Sequence, residues 1–357
     1  MIPILHEATG TRLTTMGLGA LGDAISCTVS QEINGPYTLS MKYPLTGPLA
    51  GELKPERIIW AVPEDGADPQ PFQIASTRKT MAGMIQVEAQ HISYRLNYAV
   101  AGEMGEQVSA EACMAVLNQE GSGFTFWTDV PEQTLADYLI LKYDTPGQIK
   151  QRLQDIQEKY GGEYEWDKLS VKLHQKRGQD RGVQILYGKN LTTLQQDRNN
   201  ENAYSAIYPY AVKKDGTLIT LAEKTVSTGL SLGYNKVQSV DFSDVLAEFT
   251  ESALRYAAQK KISRGEYNTP TVALTVSFAA LGKTTEYREY ANLERVNLGD
   301  TVHVAMENMG VNVAARVKTI TFDVLKETCD TVSVGSELQT LPRTLAQLIK
   351  EVKKLGG

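Results

Sequence analysis

The chain has 357 residues, of which 42% are hydrophobic and 22% are charged, a balance typical of globular domains and not of disordered chains. This length is sufficient for about two to four domains, each with its own core. The net charge of −6 argues against a protein that holds nucleic acid by neutralising phosphates. DNA could still pass along an acidic wall, and mild acidity also serves solubility.

Cysteine and histidine residues are scattered along the chain. Cys27, Cys113 and Cys329 form no CxxC pair, and the four histidines are equally far apart. Structural zinc sites need clustered thiolates or imidazoles, so we expect reduced thiols, no metal and no cofactor. The N-terminus lacks a basic region followed by a long apolar stretch, and no run of about 18 apolar residues occurs. We therefore expect no signal peptide and no membrane insertion by the chain itself.

Short apolar runs separated by turn signals fill the first hundred residues. The turn signals include Asn-Gly-Pro, Thr-Gly-Pro and Glu-Asp-Gly, in which Gly and Asn tolerate positive φ and Pro presets it. Many short strands at this spacing predict a small β-barrel or β-sandwich, and we assign residues 1–100 to an N-terminal β-barrel. The predicted strands are 24–29, 37–43, 57–62, 72–77 and 84–89.

A small α/β domain is predicted for residues 101–181. Ser109 can cap a first helix, and Thr145 followed by Pro146 predicts the start of a second. Strict alternation over residues 169–173 predicts a strand. The second helix is predicted to end at Gly161 and to bury one stripe, formed by Ile149, Leu153, Ile156 and Tyr160.

A second strand-rich region is predicted from residues 182–215 and 270–338, interrupted by a helical insertion at 216–269. An Asp-Gly turn at 215–216 predicts a hairpin, and Ser243 is predicted to open a helix that ends before Gly265. The strands that follow alternate, which predicts that one face of each is buried. The core residues predicted here are Val272, Leu274, Val276, Val302, Val304 and Val317.

The C-terminal segment 339–357 predicts a helix that is started by Pro342 and carries a heptad seam. An isolated helix of this length is marginal in water, so the seam must pack on something. It could lie on its own domain, or it could form a parallel bundle at an interface between copies of the chain. The seam residues are Leu341, Leu345, Leu348, Val352 and Leu355.

Several motifs of enzymes are weak or absent in this sequence. The stretch 17–22 fits GxGxxG, but no convincing strand precedes it and a hairpin follows, so we interpret it as a turn. No GxSxG, HExxH or P-loop motif occurs. Cys113 lies in an amphipathic helix pattern and is interpreted as a core thiol. The carboxylate pairs Asp241/Asp244 and Glu286/Glu289 are expected by chance in a chain with 42 acidic residues.

Several segments in a fixed order resemble a known family. They are PFQIASTRKTMAGMIQVEAQHISYRL, DRGVQILYGKNLTTL, YSAIYPYAVKKDGTLITL, LTVSFAAL, YREYANLERVNLGDTVHV and VKTITFDVLKETCDTVSVGS. Together, from about residue 70 to 336, they resemble the phage minor structural protein or prophage tail endopeptidase family. That family is similar in fold to the baseplate hub, or tail tip, proteins of tailed phages.

The resemblance implies a structural hub of a phage tail tip or baseplate, or of a phage-derived contractile particle, that forms a homotrimer. Each subunit would carry two tube-like β-barrels, the first from residues 1–100 and the second from residues 182–215 and 270–338. Six similar barrels would adapt a sixfold tail tube above to a threefold tip below. Implied partners are a distal tail or tail tube protein above, a spike, fibre or tip protein below, and a tape-measure protein in the lumen. The location implied is the virion tail, with no specific nucleic-acid binding and no enzyme activity.

Two other functions stay open at this point. A tail-associated cell-wall hydrolase would need two carboxylates at catalytic separation, and a carbohydrate-binding tip adhesin would need an exposed aromatic platform. Trp60, Trp127 and Trp166 are the available tryptophans, and we interpret Trp127 and Trp166 as core residues. Many family members continue into a long C-terminal region, whereas this sequence stops at Gly357. We expect either a short hub to which a separate spike docks, or a truncated chain.

Overall fold

The computed structural model is mostly β-sheet with three α-helices in its described part. Thirteen strands form one large sheet, and smaller sheets with the helices form two further units. Among the described residues, no helix is both long and apolar enough to cross a lipid bilayer. The described residues are 2–131, 140–199, 201–246, 248–268, 271–278, 295–306, 308 and 311–335.

The N-terminal strands form the first strand unit. They are β1 (Ile4–His6), β2 (Gly19–Ala20), β3 (Ser26–Glu32), β4 (Tyr37–Pro44), β5 (Ile58–Ala61), β6 (Gln70–Lys79) and β7 (Met84–His91). Their order in the sheet is β3–β4–β7–β6–β5–β1–β2. Burial alternates along β4, so Leu39, Met41 and Tyr43 lie in one core. The five strands predicted in this region are confirmed, with shifts at their ends, and 3-10 helices cover Ala50–Glu52 and Ile92–Asn97.

The second strand unit comes from the C-terminal half of the chain. Its strands are β15 (Asp180–Leu186), β16 (Leu191–Asn199), β21 (Thr271–Phe278), β22 (Thr301–Met306), β23 (Val311–Asp323) and β24 (Thr328–Gly335). They pair in the order β15–β22–β23–β24–β21–β16. The predicted core is confirmed for Leu274, Val276, Val302, Val304 and Val317, which are all buried. The side chain of Val272 lies outside the described part.

Strand β23 joins the two strand units into one sheet. Its first residues pair with β22, and residues from Thr319 to Asp323 pair with β3, where Thr319 lies opposite Glu32. Strand β24 runs along the other side of β23. Because one strand belongs to both units, their relative orientation is set by backbone hydrogen bonds. The closure of each unit into a barrel stays a prediction.

An α/β unit lies between the two strand units in sequence. It contains β8 (Val100–Ala101), β9 (Met104–Gln107), α1 (Ala110–Gln119), β10 (Thr125–Thr128), β11 (Leu141–Tyr143), β12 (Gly147–Gln148), α2 (Ile149–Tyr160), β13 (Glu163–Asp167) and β14 (Ser170–His174). The three-stranded sheet has the order β10–β14–β13, and both helices share its core.

The predicted features of the two helices of the α/β unit are partly confirmed. The Ser109 hydroxyl accepts a hydrogen bond from the amide of Ala112, which confirms the predicted cap. The apolar stripe of α2 is also confirmed, and Gly161 follows its last residue. The predicted start at Thr145 is wrong, because residues 147–148 pair with β8 and the helix begins only at Ile149.

An inserted unit carries the third helix. It contains β17 (Ala206–Val212), β18 (Leu218–Thr220), β19 (Val226–Ser227), β20 (Val237–Asp241) and α3 (Glu251–Ser263). The hairpin around residues 215–216 is confirmed, and α3 ends before Gly265. The predicted start of this helix at Ser243 is wrong, because Ser243 instead binds the amide of Val212 and Thr250 caps the helix. The boundary predicted at residue 215 assigns β17 to the second barrel, whereas its partners here are β18, β19 and β20.

Candidate functional site

The predicted oligomer interface lies outside the described residues. All five seam residues, namely Leu341, Leu345, Leu348, Val352 and Leu355, belong to the undescribed segment 336–357. Whether this seam packs between copies of the chain therefore stays a prediction.

The residues considered for catalysis do not form a reactive centre in the described part of the chain. The Cys113 thiol is buried, and burial raises its pKa to about 12, the opposite of what an activated nucleophile needs. The Asp241 carboxylate accepts hydrogen bonds from the hydroxyl and amide of Ser243, which lower its pKa. Glu286 and Glu289 lie outside the described residues. Within the described part, no three His, Cys, Asp or Glu side chains are arranged to hold a metal ion.

The GxGxxG stretch is part of a turn. Gly17 has φ of +53°, and a Cβ atom there would lie 2.5 Å from the carbonyl oxygen of Leu5. Residues Gly19–Ala20 then form β2, which pairs with β1. No helix follows this stretch, so the helix N-terminus that a dinucleotide phosphate requires is absent from these residues.

The three tryptophans lie in different environments. Trp60 is fully buried, and its indole nitrogen donates to the carbonyl oxygen of Gly10. The interpretation of Trp127 as a core residue is wrong, because its side chain is 50% exposed on the outer face of β10. Trp166 is partly buried and packs against the cores of both the first strand unit and the α/β unit.

Three tyrosines on or beside β17 are candidates for an interface, because tyrosine combines apolar area with a polar tip. Tyr208 and Tyr210 alternate with buried residues along the strand, so both lie on its outer face and are half-buried. Tyr204 packs against Tyr267, with ring centroids 6.4 Å apart. Their role in an interface stays a prediction.

A buried ion pair connects the second strand unit to the α/β unit. Arg316 on β23 donates two hydrogen bonds of 2.6 Å to the carboxylate of Glu163 on β13. It also donates to the carbonyl oxygens of Gly299 and Arg177. Burial alone would raise the pKa of Glu163, but these contacts with Arg316 hold it below its usual value. Such a fork-to-fork pair fixes the position of both elements.

Beside this pair, the segment 295–300 contacts two other parts of the chain. Asp300 is fully buried and accepts from the amide of Gln179 and the guanidinium of Arg181. Glu64 of the first strand unit accepts from the amide of Leu298 and the side chain of Asn297. The two strand units and the α/β unit are therefore joined at one junction by hydrogen bonds as well as by the shared strand.

A cleft of about 530 Å³ opens between the first strand unit and the α/β unit. The turn between β3 and β4 forms one wall, where the Asn34 side chain binds the carbonyl oxygen of Gly162 and the amide of Tyr164. The first turns of α2 form the opposite wall. Aromatic, polar and cationic side chains all contribute to the lining, among them Tyr94, Asn97, Gln148, Lys150, Gln154 and Trp166.

Lys150 is the cation of this cleft. Its ammonium lies 3.8 Å from the ring centroid of Trp166 and 5.8 Å from that of Tyr94. Desolvation lowers the pKa of Lys150 to about 8. Sequence reasoning missed this cleft, although the glutamines at positions 151, 154 and 157 are neighbours along the helix surface and indicate a polar side of α2.

Part of the chain matches a known protein family. Residues 179–345, slightly less than half of the chain, match the family model described as prophage endopeptidase tail. The matched segment contains the second strand unit and the inserted unit. No curated protein matches the sequence closely enough to count as a relative.

Three solved structures of tail proteins share the fold over most of the chain. A prophage tail protein, gp18, from Listeria monocytogenes is 14% identical with a TM-score of 0.61, over 99% of this chain and 100% of its own. The resemblance to prophage tail proteins is confirmed. The tail protein of Neisseria meningitidis is 11% identical with a TM-score of 0.63, over 94% of this chain and 97% of its own. The prophage MuSo2 tail protein of Shewanella oneidensis is 11% identical with a TM-score of 0.59, over 87% of this chain and 93% of its own.

At these identities, the likeness to solved structures shows the fold alone. The chain therefore shares with these tail proteins a mostly β architecture with few helices. The family name contains the word endopeptidase, but the neighbours named above are described only as tail proteins.

Proposed function

We propose that the chain is the structural hub of a phage tail tip or baseplate, where three copies form a ring. The observation that supports this most directly is the course of β23, which belongs to both strand units. A subunit with two strand units held in one sheet can present both to a tail tube at a constant angle. Three such subunits offer six units, which would match a sixfold tube above and a threefold tip below.

The two strand units are suited to equivalent places in a ring because each has a core of its own. The core of the first contains Leu39, Met41 and Val87, and that of the second contains Val302, Val304 and Val332. The ion pair of Arg316 and Glu163 holds the α/β unit to β23, the strand that belongs to both strand units. Rings need subunits that keep their shape while surfaces are buried between copies, because interfaces of closed rings repeat the same contact.

The proposed role is structural and not enzymatic. It places the chain in the virion tail, in contact with a distal tail or tail tube protein on one side and a spike, fibre or tip protein on the other. A tape-measure protein is proposed for the lumen. The buried thiol of Cys113 and the turn-capping role of Asp241 support a role without chemistry.

The mass of the purified chain in solution, measured by light scattering, tests this proposal. We expect a trimer, and we expect Leu345→Asp with Leu348→Asp to dissociate it, because burying two charges in an apolar seam costs several kcal/mol. Ala346→Asp with Gln347→Asp adds the same charge beside the seam positions and serves as the matched control. It should leave the trimer intact.

Three outcomes separate the parts of the proposal. Dissociation of only the seam variant supports the trimer and an interface at the C-terminal helix. If both variants remain trimers, the proposal of a ring stands, but the contacts that stabilise it lie in the strand units and not in the C-terminal helix. A chain that stays monomeric at high concentration contradicts the trimeric ring.

A further inference from the structure

The cleft between the first strand unit and the α/β unit has the dimensions and chemistry of a ligand site. Its volume of about 530 Å³ lies in the range usual for small-molecule and peptide pockets. Trp166 and Tyr94 provide aromatic surface, while polar side chains of α2 line the opposite side. The walls are held in place, because the Asn34 side chain ties the turn between β3 and β4 to β13.

The charge of the cleft is unusual for this acidic chain. Although the chain has 42 acidic residues, no Asp or Glu is among the described residues that line the cleft. Within the same part of the chain, no carboxylate lies within ion-pair distance of the Lys150 ammonium, which lies over the Trp166 and Tyr94 rings. A half-buried ammonium without a carboxylate has lost much of its hydration and gained only ring contacts. An anion that enters the cleft would supply the missing partner.

The cleft also contains hydrogen-bond donors. The side-chain amides of Asn97, Gln148 and Gln154 line the cleft and make no hydrogen bond within the described part of the chain. The first turn of α2 contains no acidic residue, and Gln148 at its N-cap position provides no side-chain cap. The positive end of the helix dipole therefore adds to the charge of Lys150. All of these groups favour a ligand with carboxylate oxygens.

We propose that this cleft binds an acidic peptide segment of a partner protein. A glutamate or aspartate side chain of that segment pairs with Lys150, and the amides of Asn97, Gln148 and Gln154 bind its backbone or a neighbouring carboxylate. The aromatic rings pack against the apolar part of the segment. The cleft is contained within one chain, so its ligand can be tested whether or not the proposed ring forms.

Fluorescence titration of the full chain with an acetylated, amidated hexaglutamate peptide tests this proposal. Trp127→Phe is introduced first, so that Trp166 and the fully buried Trp60 are the remaining tryptophans. We expect a saturable change in emission, and about tenfold weaker binding for Lys150→Met, because one partly desolvated ion pair is lost. Lys142→Met, an exposed lysine of the same unit that pairs with Asp144, is the matched control and should bind as the parent does.

A second variant tests the cleft even if Lys150→Met does not fold correctly. Gln154→Glu leaves the lysine in place and adds a carboxylate to the cleft, so it should also weaken hexaglutamate binding by about tenfold. The proposal is overturned if hexaglutamate does not bind, if hexaglutamine binds equally well, or if both cleft variants bind like the parent. Binding of oligogalacturonate without binding of hexaglutamate would assign the cleft to an acidic saccharide, and the proposal of a peptide ligand would again be wrong.

Discussion

Arg316 and Glu163 face each other in parallel, with two nitrogen–oxygen distances of 2.6 Å, between the shared strand β23 and strand β13 of the α/β unit. Their side chains are only 5% and 14% exposed. A bidentate pair in this position joins the strand that belongs to both strand units to the third unit. Removal of one partner leaves the other charge buried, which is far more costly than the loss of an exposed ion pair.

We predict that Arg316→Met lowers the free energy of unfolding by about 3–5 kcal/mol, because the Glu163 carboxylate is then buried without its partner. Denaturant-induced unfolding of the parent and the variant measures this difference. Lys326→Met removes an exposed cation that pairs with Asp323 and is the control, for which we expect little change. Equal effects of the two substitutions would contradict a role of the Arg316 pair in holding the units together.

The same pair predicts how stability depends on acid. The pKa of Glu163 is lowered in the folded chain, so its contribution to stability is complete above the unfolded pKa of about 4.3. That contribution is lost as the pH falls through the lower, folded pKa. We predict that the stability difference between the parent and Glu163→Gln is largest at neutral pH and shrinks in this acidic window. Unfolding curves recorded from pH 7 downwards measure it, and a constant difference would contradict the assignment.

The cleft lysine is predicted to reduce the stability of the fold. Its folded pKa of about 8 lies below the unfolded value of about 10.4, so the lysine costs stability at neutral pH, by an amount on the order of 1–3 kcal/mol. Lys150→Met should therefore raise the free energy of unfolding at pH 7. Between about pH 8 and 10, the unfolded parent binds more protons than the folded one, so the parent gains stability and approaches the variant. Thermal unfolding across this range measures both effects, and a destabilised variant at pH 7 would show that Lys150 serves packing.

The thiols are predicted to be slow to react in the native chain. Burial raises the pKa values of Cys27, Cys113 and Cys329 to about 12, so the reactive thiolate is scarce at pH 8. Cys329 is only partly buried and should react first with a disulfide reagent. The absorbance of the thiolate released from the reagent gives the rates of reaction of the cysteines. After denaturation, all three thiols should react. If Cys329→Ser left the fastest native phase unchanged, the assignment to Cys329 would be wrong.

Asn118 is predicted to protect the outer edge of β10. Its side-chain amide donates to the carbonyl oxygen of Phe126 and accepts from the amide of the same residue, both at 2.8 Å, as a neighbouring strand would. Asn118→Ala should cost about 1–2 kcal/mol and should leave an open strand edge that favours aggregation. Unfolding and light scattering during heating measure the two effects. Gln119→Ala, the next residue along the helix, is the control and should change neither.

Local structure was largely predictable from the sequence. The cap at Ser109, the stripe of α2 from Ile149 to Tyr160 and the alternation along β22 each depend on neighbours within a few residues. Such patterns indicate whether a segment is a helix or a strand and which of its faces is apolar. The structure confirms these three predictions. The helix starts at Thr145 and Ser243 failed because tertiary partners, β8 and the end of β17, bind the residues that local rules assigned to caps.

The misinterpretation of Trp127 has a similar cause. The run from Phe124 to Trp127 is rich in aromatics, but a strand points successive side chains to opposite faces. Phe124 and Phe126 lie in the core, so Trp127 lies on the outer face and is half exposed. Hydrophobicity alone suggested burial, whereas the pleat of the strand places this ring at the surface.

Composition, periodicity and turn residues determined that this chain folds into mostly β units with short helices, and ordered segments of its sequence already resembled prophage tail proteins. Tertiary structure alone decided that β23 is shared between two strand units, that Arg316 meets Glu163, and that Lys150 lies against Trp166 with no carboxylate of the described residues in ion-pair distance. The physical reason is that the two kinds of interaction act over different distances along the chain. Periodicity specifies which face of an element is apolar, but a strand edge or a charge can pair with any compatible partner, and packing of the whole chain selects which one it meets.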